Sequence, residues 1–103
     1  MTSITSIQRG IVFLLARWSG PAVNARDILL NLLQDRGISE HLLCVDVDRE
    51  PEIYDVPELS GKIHGWGEAA VVRDGKIVFV TVLGKDLGRI QEHCDELFRA
   101  YSA

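Results

Sequence analysis

Ile11-Val12-Phe13-Leu14-Leu15-Ala16-Arg17-Trp18-Ser19-Gly20-Pro21-Ala22 is the stretch that decides the fold. Ile11 to Ala16 is an unbroken apolar run rich in branched and aromatic side chains, the pattern of a short strand covered on both faces. Trp18-Ser19-Gly20-Pro21 breaks it. Beyond the break the period changes: Ala22, Ala25, Ile28, Leu29, Leu32 and Leu33 recur at spacings of three and four, which predicts a helix with one apolar side. Ser19 is placed to cap that helix and Pro21 suits its first turn. Gly37 can take the positive φ that ends it.

The same reading continues outward. Leu42 to Asp48 predicts a second strand, polar toward its end at Asp46 and Asp48. The segment from Arg49 to Lys62 is polar and punctuated by Pro51 and Pro57, with a short helix expected from Pro51 to about Val56. Ala69 to Arg73, then Asp74-Gly75, then Lys76 to Val82 predicts a hairpin, because Asp-Gly between apolar runs is a strong two-residue turn signal. Lys85 to Tyr101 predicts a last helix with Leu87, Ile90, Cys94, Leu97, Phe98 and Tyr101 on one face. The order β-α-β-α-β-β-α implies a parallel pair with a right-handed crossover and an antiparallel hairpin.

The 103 residues, 47% apolar and 25% charged, fit one domain over 1–103 with its own core, residues 1–9 being expected to be peripheral or partly disordered. The net charge is −4, with 11 basic side chains scattered along the chain, so no basic stripe follows a phosphate backbone and nucleic-acid binding is not expected. The polar start, Met1 to Gly10, lacks the basic-then-apolar pattern of a secretory signal. No apolar run approaches the 18 residues of a membrane span. Cys44 and Cys94 are too far apart in sequence for a metal knuckle or a redox pair. A cytoplasmic location with both thiols reduced is therefore expected. Each cysteine is expected in the core, Cys44 on a central strand and Cys94 on the last helix. Asp46, Asp48, Glu50 and Glu52 read as a solvated strand end and helix start, and no metal or cofactor is expected.

Trp18-Ser19-Gly20-Pro21-Ala22 resembles the thioredoxin motif Trp-Cys-Gly-Pro-Cys, with both cysteines replaced. Val45-Asp46-Val47-Asp48 followed by Pro51 is similar to the strand and turn that come next in that family. Ile63-His64-Gly65-Trp66-Gly67-Glu68 lines up with the Gly-Ile-Pro-Thr stretch, and Val72-Arg73-Asp74-Gly75-Lys76 with the strand–turn–strand. The resemblance spans roughly Gly10 to Tyr101. It implies a thioredoxin-like three-layer α/β/α sandwich with a mixed four- to five-stranded sheet.

The departures carry the functional reading. The resemblance puts Ser19 at the nucleophilic thiol, Ala22 at the resolving thiol, Phe13 at the buried aspartate and Gly67 at the cis-proline. Disulfide exchange needs a thiolate and a second thiol to resolve the mixed disulfide, and neither position supplies one. Phe13 cannot transfer protons. Gly67 is expected to leave its loop freer than proline would. No disulfide oxidoreductase activity is expected, and no catalytic residue is assigned.

Trp18, Ser19, Gly20, Pro21, Ala22 and Gly67 are thus the remains of the active-site surface. Trp18, Pro21, Trp66, Gly67 and Leu83 are the candidate partner-binding residues. The leading expectation is a non-catalytic chaperone, adaptor or assembly factor with a protein partner. The redox-inactive accessory proteins of hydrogenase operons are similar in lacking both cysteines. Three alternatives stand beside it: a glutathione or small-anion site at the helix start, a serine-based activity pairing Ser19 with His64, and a self-associating scaffold. Against the second, Ser19 reads as a cap and His64 as a solvated loop residue.

Overall fold

The computed structural model describes residues 4–103. Its elements are β1 (Arg9–Leu15), α1 (Gly20–Asp35), β2 (Leu42–Asp46), β3 (Glu68–Arg73), β4 (Lys76–Val82) and α2 (Ile90–Ser102), joined by short 3₁₀ turns. The four strands form one mixed sheet in the order β2-β1-β3-β4. β1 runs parallel to β2, with Phe13 opposite Cys44, and antiparallel to β3, with Leu14 opposite Glu68.

Alternation along β1 divides the core. Ile11, Phe13 and Leu15 face α1 and α2, meeting Ala22, Ala25, Leu29 and Leu33 from the first helix and Cys94, Leu97 and Phe98 from the second. Val12, Leu14 and Ala16 face the other way, against Val45, Val47, Val72, Ile53 and Leu59. Both α-helices therefore lie on one face. The third layer is thin: the short helix expected over 51–56 is a 3₁₀ helix, Pro51–Asp55, and a second 3₁₀ turn, Pro57–Leu59, follows it. Pro57 removes an amide and disfavours helical backbone just before it, so the turns cannot merge into an α-helix.

Several expectations are corrected at the periphery. Ile4 is buried in the second core face and β1 starts at Arg9, so part of the 1–9 segment is packed; Met1 to Ser3 lie outside the described residues. Cys44 is exposed rather than core, because β2 is an edge strand. Cys94 is buried as expected. Leu87 is exposed, since the last helix begins only at Ile90 and Leu87 sits in the preceding 3₁₀ turn, Leu87–Arg89.

Helix ends follow local chemistry. Ser19 Oγ accepts the amide of Ala22, capping α1. At the other end Gly37, with φ +71°, lets the Ile38 amide return to the Leu33 carbonyl and the Gly37 amide to that of Gln34. Arg9 and Arg73, register partners on β1 and β3, donate to the Tyr101 and Ala100 carbonyls at the end of α2. Two cations thus complement that helix's negative pole and tie it to the sheet. Asp74 and Gly75, with φ +52° and +77°, form the expected tight hairpin turn.

Candidate functional site

Three loops converge at the carboxyl end of β1. The first is the Trp18–Ala22 turn into α1. The second is Gly65-Trp66-Gly67, leading into β3. The third is Leu83-Gly84, leaving β4. Their closeness is legible at the glycines. A Cβ on Gly84 would strike the Trp66 carbonyl oxygen and lie 2.7 Å from that of Pro21. A Cβ on Gly67 would lie 3.0 Å from Phe13 Cζ and 3.3 Å from Ala22 Cα. A Cβ on Gly65 would lie 2.7 Å from Trp18 Cη2. Only backbone without side chains lets the loops approach this closely.

The two tryptophans stand on this surface: Trp18 is 71% exposed and Trp66 41%. Pro21 is half-buried beside them, and Gly67 is buried beneath. Leu83 is fully buried, so it belongs to the core and not to the surface; its neighbour Gly84 is the residue at the junction. Gly65, Gly84 and Glu68 are the participants that pattern reading passes over. Only the positive φ of +78° and the close approach to Trp18 reveal Gly65, and only its contacts with the Trp66 and Pro21 carbonyls reveal Gly84.

The loop around Gly67 is also tied. The Leu83 amide donates to the Gly67 carbonyl at 2.9 Å, and the Trp66 amide donates to Glu68 Oε2 at 3.1 Å. The expected freedom at Gly67 is offset by these two bonds. Every peptide bond of the described residues is trans.

The chemistry of the turn is that of a cap. Ser19 is 7% exposed, and its hydroxyl is engaged with the Ala22 amide at 3.3 Å. His64 is exposed on its loop and is not among the hydrogen-bond partners of Ser19. Asp46, at the end of β2, is bound by Arg17 at 3.0 Å and accepts the amides of Asp48 and Arg49, which accounts for the leading member of the acidic cluster. Among the described residues no group of three or more His, Cys, Asp or Glu is arranged to hold a metal. No helix of the described residues is long and apolar enough to cross a membrane.

Both thiols lie outside the turn, Cys44 on β2 and Cys94 on α2. Burial pushes the Cys94 thiol up to about 11, with Asp95 adding to the shift. Packing around its sulfur also raises Cys44; Asp46 adds to the effect, and Arg26 and Arg17 oppose it. Raised thiols are poor nucleophiles near neutral pH.

The fold as a whole has counterparts among solved structures. A thioredoxin of Fasciola hepatica superposes with a TM-score of 0.64 at 20% identity, covering 90% of this chain and 84% of that one. The chain has the thioredoxin fold. Mitochondrial thioredoxin 3 of Saccharomyces cerevisiae matches at TM-score 0.63 and 19% identity, over 91% of this chain and 83% of the other. Thioredoxin f2 of Chlamydomonas reinhardtii matches at 0.61 and 16%, over 90% and 83%. No protein-family model matches the sequence, and no curated protein is significantly similar to it. Within the thioredoxin fold, this chain carries Ser19 and Ala22 at the two ends of the turn and presents Trp18 and Trp66 beside it.

Proposed function

We propose that this thioredoxin-fold chain is a non-catalytic protein-binding module, acting as an adaptor, chaperone or assembly factor. Its binding surface is formed by Trp18, Pro21, Gly65, Trp66 and Gly84. The observation that carries the reading is the joint exposure of two tryptophans on loops packed backbone to backbone. Exposed tryptophans on a preorganised frame are favoured anchors for protein partners, because each removes much apolar area from water at little entropic cost. A turn without a thiol supports binding without reaction, since exchange requires a sulfur nucleophile. Ser19 serves the frame as the α1 cap, and Phe13 and Gly67 fill the floor under the turn. The chain is expected to work where thiols stay reduced.

The test is affinity capture followed by equilibrium titration of the captured partner. Binding is expected to fall at least about tenfold in Trp18→Ala and in Trp66→Ala, as for anchors at an interface centre. It should persist under reductant, in Ser19→Ala and in Cys44→Ser/Cys94→Ser. Reduction of insulin disulfides by the purified chain, or turnover lost on Ser19→Ala, would overturn the reading.

A further inference from the structure

Glu68 is the least expected residue of the core. It is 1% exposed and opens β3, opposite Leu14 on β1 and Val82 on β4. Strand alternation turns it to the second core face, which is otherwise apolar. Its Oε2 accepts the Trp66 amide, and its buried Oε1 has no hydrogen-bond partner among the described residues. A buried carboxyl group with half its acceptors unused opposes folding, and an apolar side chain of the same size would pack there at lower cost. Such a local violation needs a use, and the one bond it makes goes to the backbone of an exposed tryptophan.

We infer that Glu68 is a positioning residue: its carboxylate fixes the Trp66 peptide and so holds the Trp66 indole at the surface. Trp66 lies between two glycines in the left-handed region, Gly65 and Gly67, a backbone with many alternatives. Gly67 is held through its carbonyl by the Leu83 amide. The Trp66 amide is the next hinge point, and Glu68 closes it from two residues away without a turn of backbone. The restraint is internal to the loop, so it leaves the outer face of the indole free. That this indole is offered to a partner rests on the reading above; that Glu68 holds it does not.

The chain has two tryptophans, so Trp18→Phe leaves Trp66 as sole reporter. In that background, Glu68→Leu is expected to raise acrylamide quenching of Trp66 about twofold, as for a locally opened loop, while melting no lower than its parent. Glu68→Gln retains an oxygen acceptor and is expected to restore the parental quenching. In the unsubstituted chain the Trp66 amide should exchange with deuterium at least about tenfold more slowly than unprotected peptide. Unchanged quenching in Glu68→Leu overturns the inference. So does a lowered melting temperature with equal quenching in the Leu and Gln variants, the mark of an ordinary core residue. Free exchange of the Trp66 amide overturns it without any substitution. These readouts need no partner. If capture proves independent of Trp18 and Trp66, the binding reading fails while the quenching still reports on Glu68.

Discussion

The six-membered edge of the Trp18 indole lies directly over Gly65, at a height where a Cβ would meet Cη2 at 2.7 Å and Cζ2 at 3.0 Å. The motif turn and the loop before β3 are thus joined through an aromatic side chain that is itself largely exposed. A glycine at 65 with φ +78° makes that contact possible.

Gly65→Ala is therefore expected to push Trp18 off its seat and to destabilise the fold by about 1 kcal/mol or more, from the added strain at positive φ. Urea unfolding measures the loss, and Trp18 emission in a Trp66→Phe background reports the displacement. Trp18→Ala, by contrast, removes an exposed ring and should change stability by less than about 0.5 kcal/mol while weakening partner binding at least about tenfold.

Gly84→Ala should be worse. Its Cβ has no room between the Trp66 and Pro21 carbonyls, both of which are backbone and cannot rotate aside. The loops must part, and a destabilisation of about 1–3 kcal/mol is expected, the range for overpacking. Denaturation midpoints of Gly65→Ala and Gly84→Ala, taken side by side, rank the two junctions.

Ser19 separates cap from catalyst. Ser19→Ala removes the oxygen that holds the Ala22 amide and should cost about 1 kcal/mol of stability. Partner affinity should be unchanged. A stability loss without an affinity loss, measured on the same preparation, is the expected pattern.

The cysteines give a pH signature. A thiol-labelling reagent at pH 8 should modify Cys44 in the folded chain and leave Cys94 untouched until unfolding. Cys94 rises from 9.0 to about 11 on folding, so the folded state holds that proton more tightly. Its stabilising contribution is complete below pH 9 and is lost as pH climbs from about 9 to about 11. Comparing the alkaline stability profile of the parent with that of Cys94→Ala isolates this slope, which the variant should lack.

Much of this was readable in the residues. The apolar run of β1, the three-and-four spacing of α1 and the Asp74-Gly75 turn each carry a local signal strong enough to survive folding. Local pattern misleads where the deciding force is tertiary. Cys44 reads as core because its neighbours are apolar, but it is exposed because β2 is an edge, which one strand's sequence does not encode. The segment from Pro51 to about Val56 reads as a short helix, and Pro57 holds it to a 3₁₀ helix over Pro51–Asp55. Leu83 reads as surface by its place after β4, and the chain turns it inward and leaves Gly84 at the junction. Glu68 is the clearest case. In the run Glu68-Ala69-Ala70-Val71-Val72 an acid looks like a strand boundary, and only its bond to the Trp66 amide gives it a role.

The surface around Trp18 and Trp66 is expected to bind a partner without reacting with it. The most direct measurement is a two-dimensional amide and indole spectrum of the labelled chain, titrated with its captured partner under reducing conditions. Shifts are expected to concentrate at the Trp18 and Trp66 indoles and at the amides of Gly20, Gly65, Gly67 and Gly84. Shifts confined to the open edges of β2 or β4, with both indoles unmoved, would contradict it.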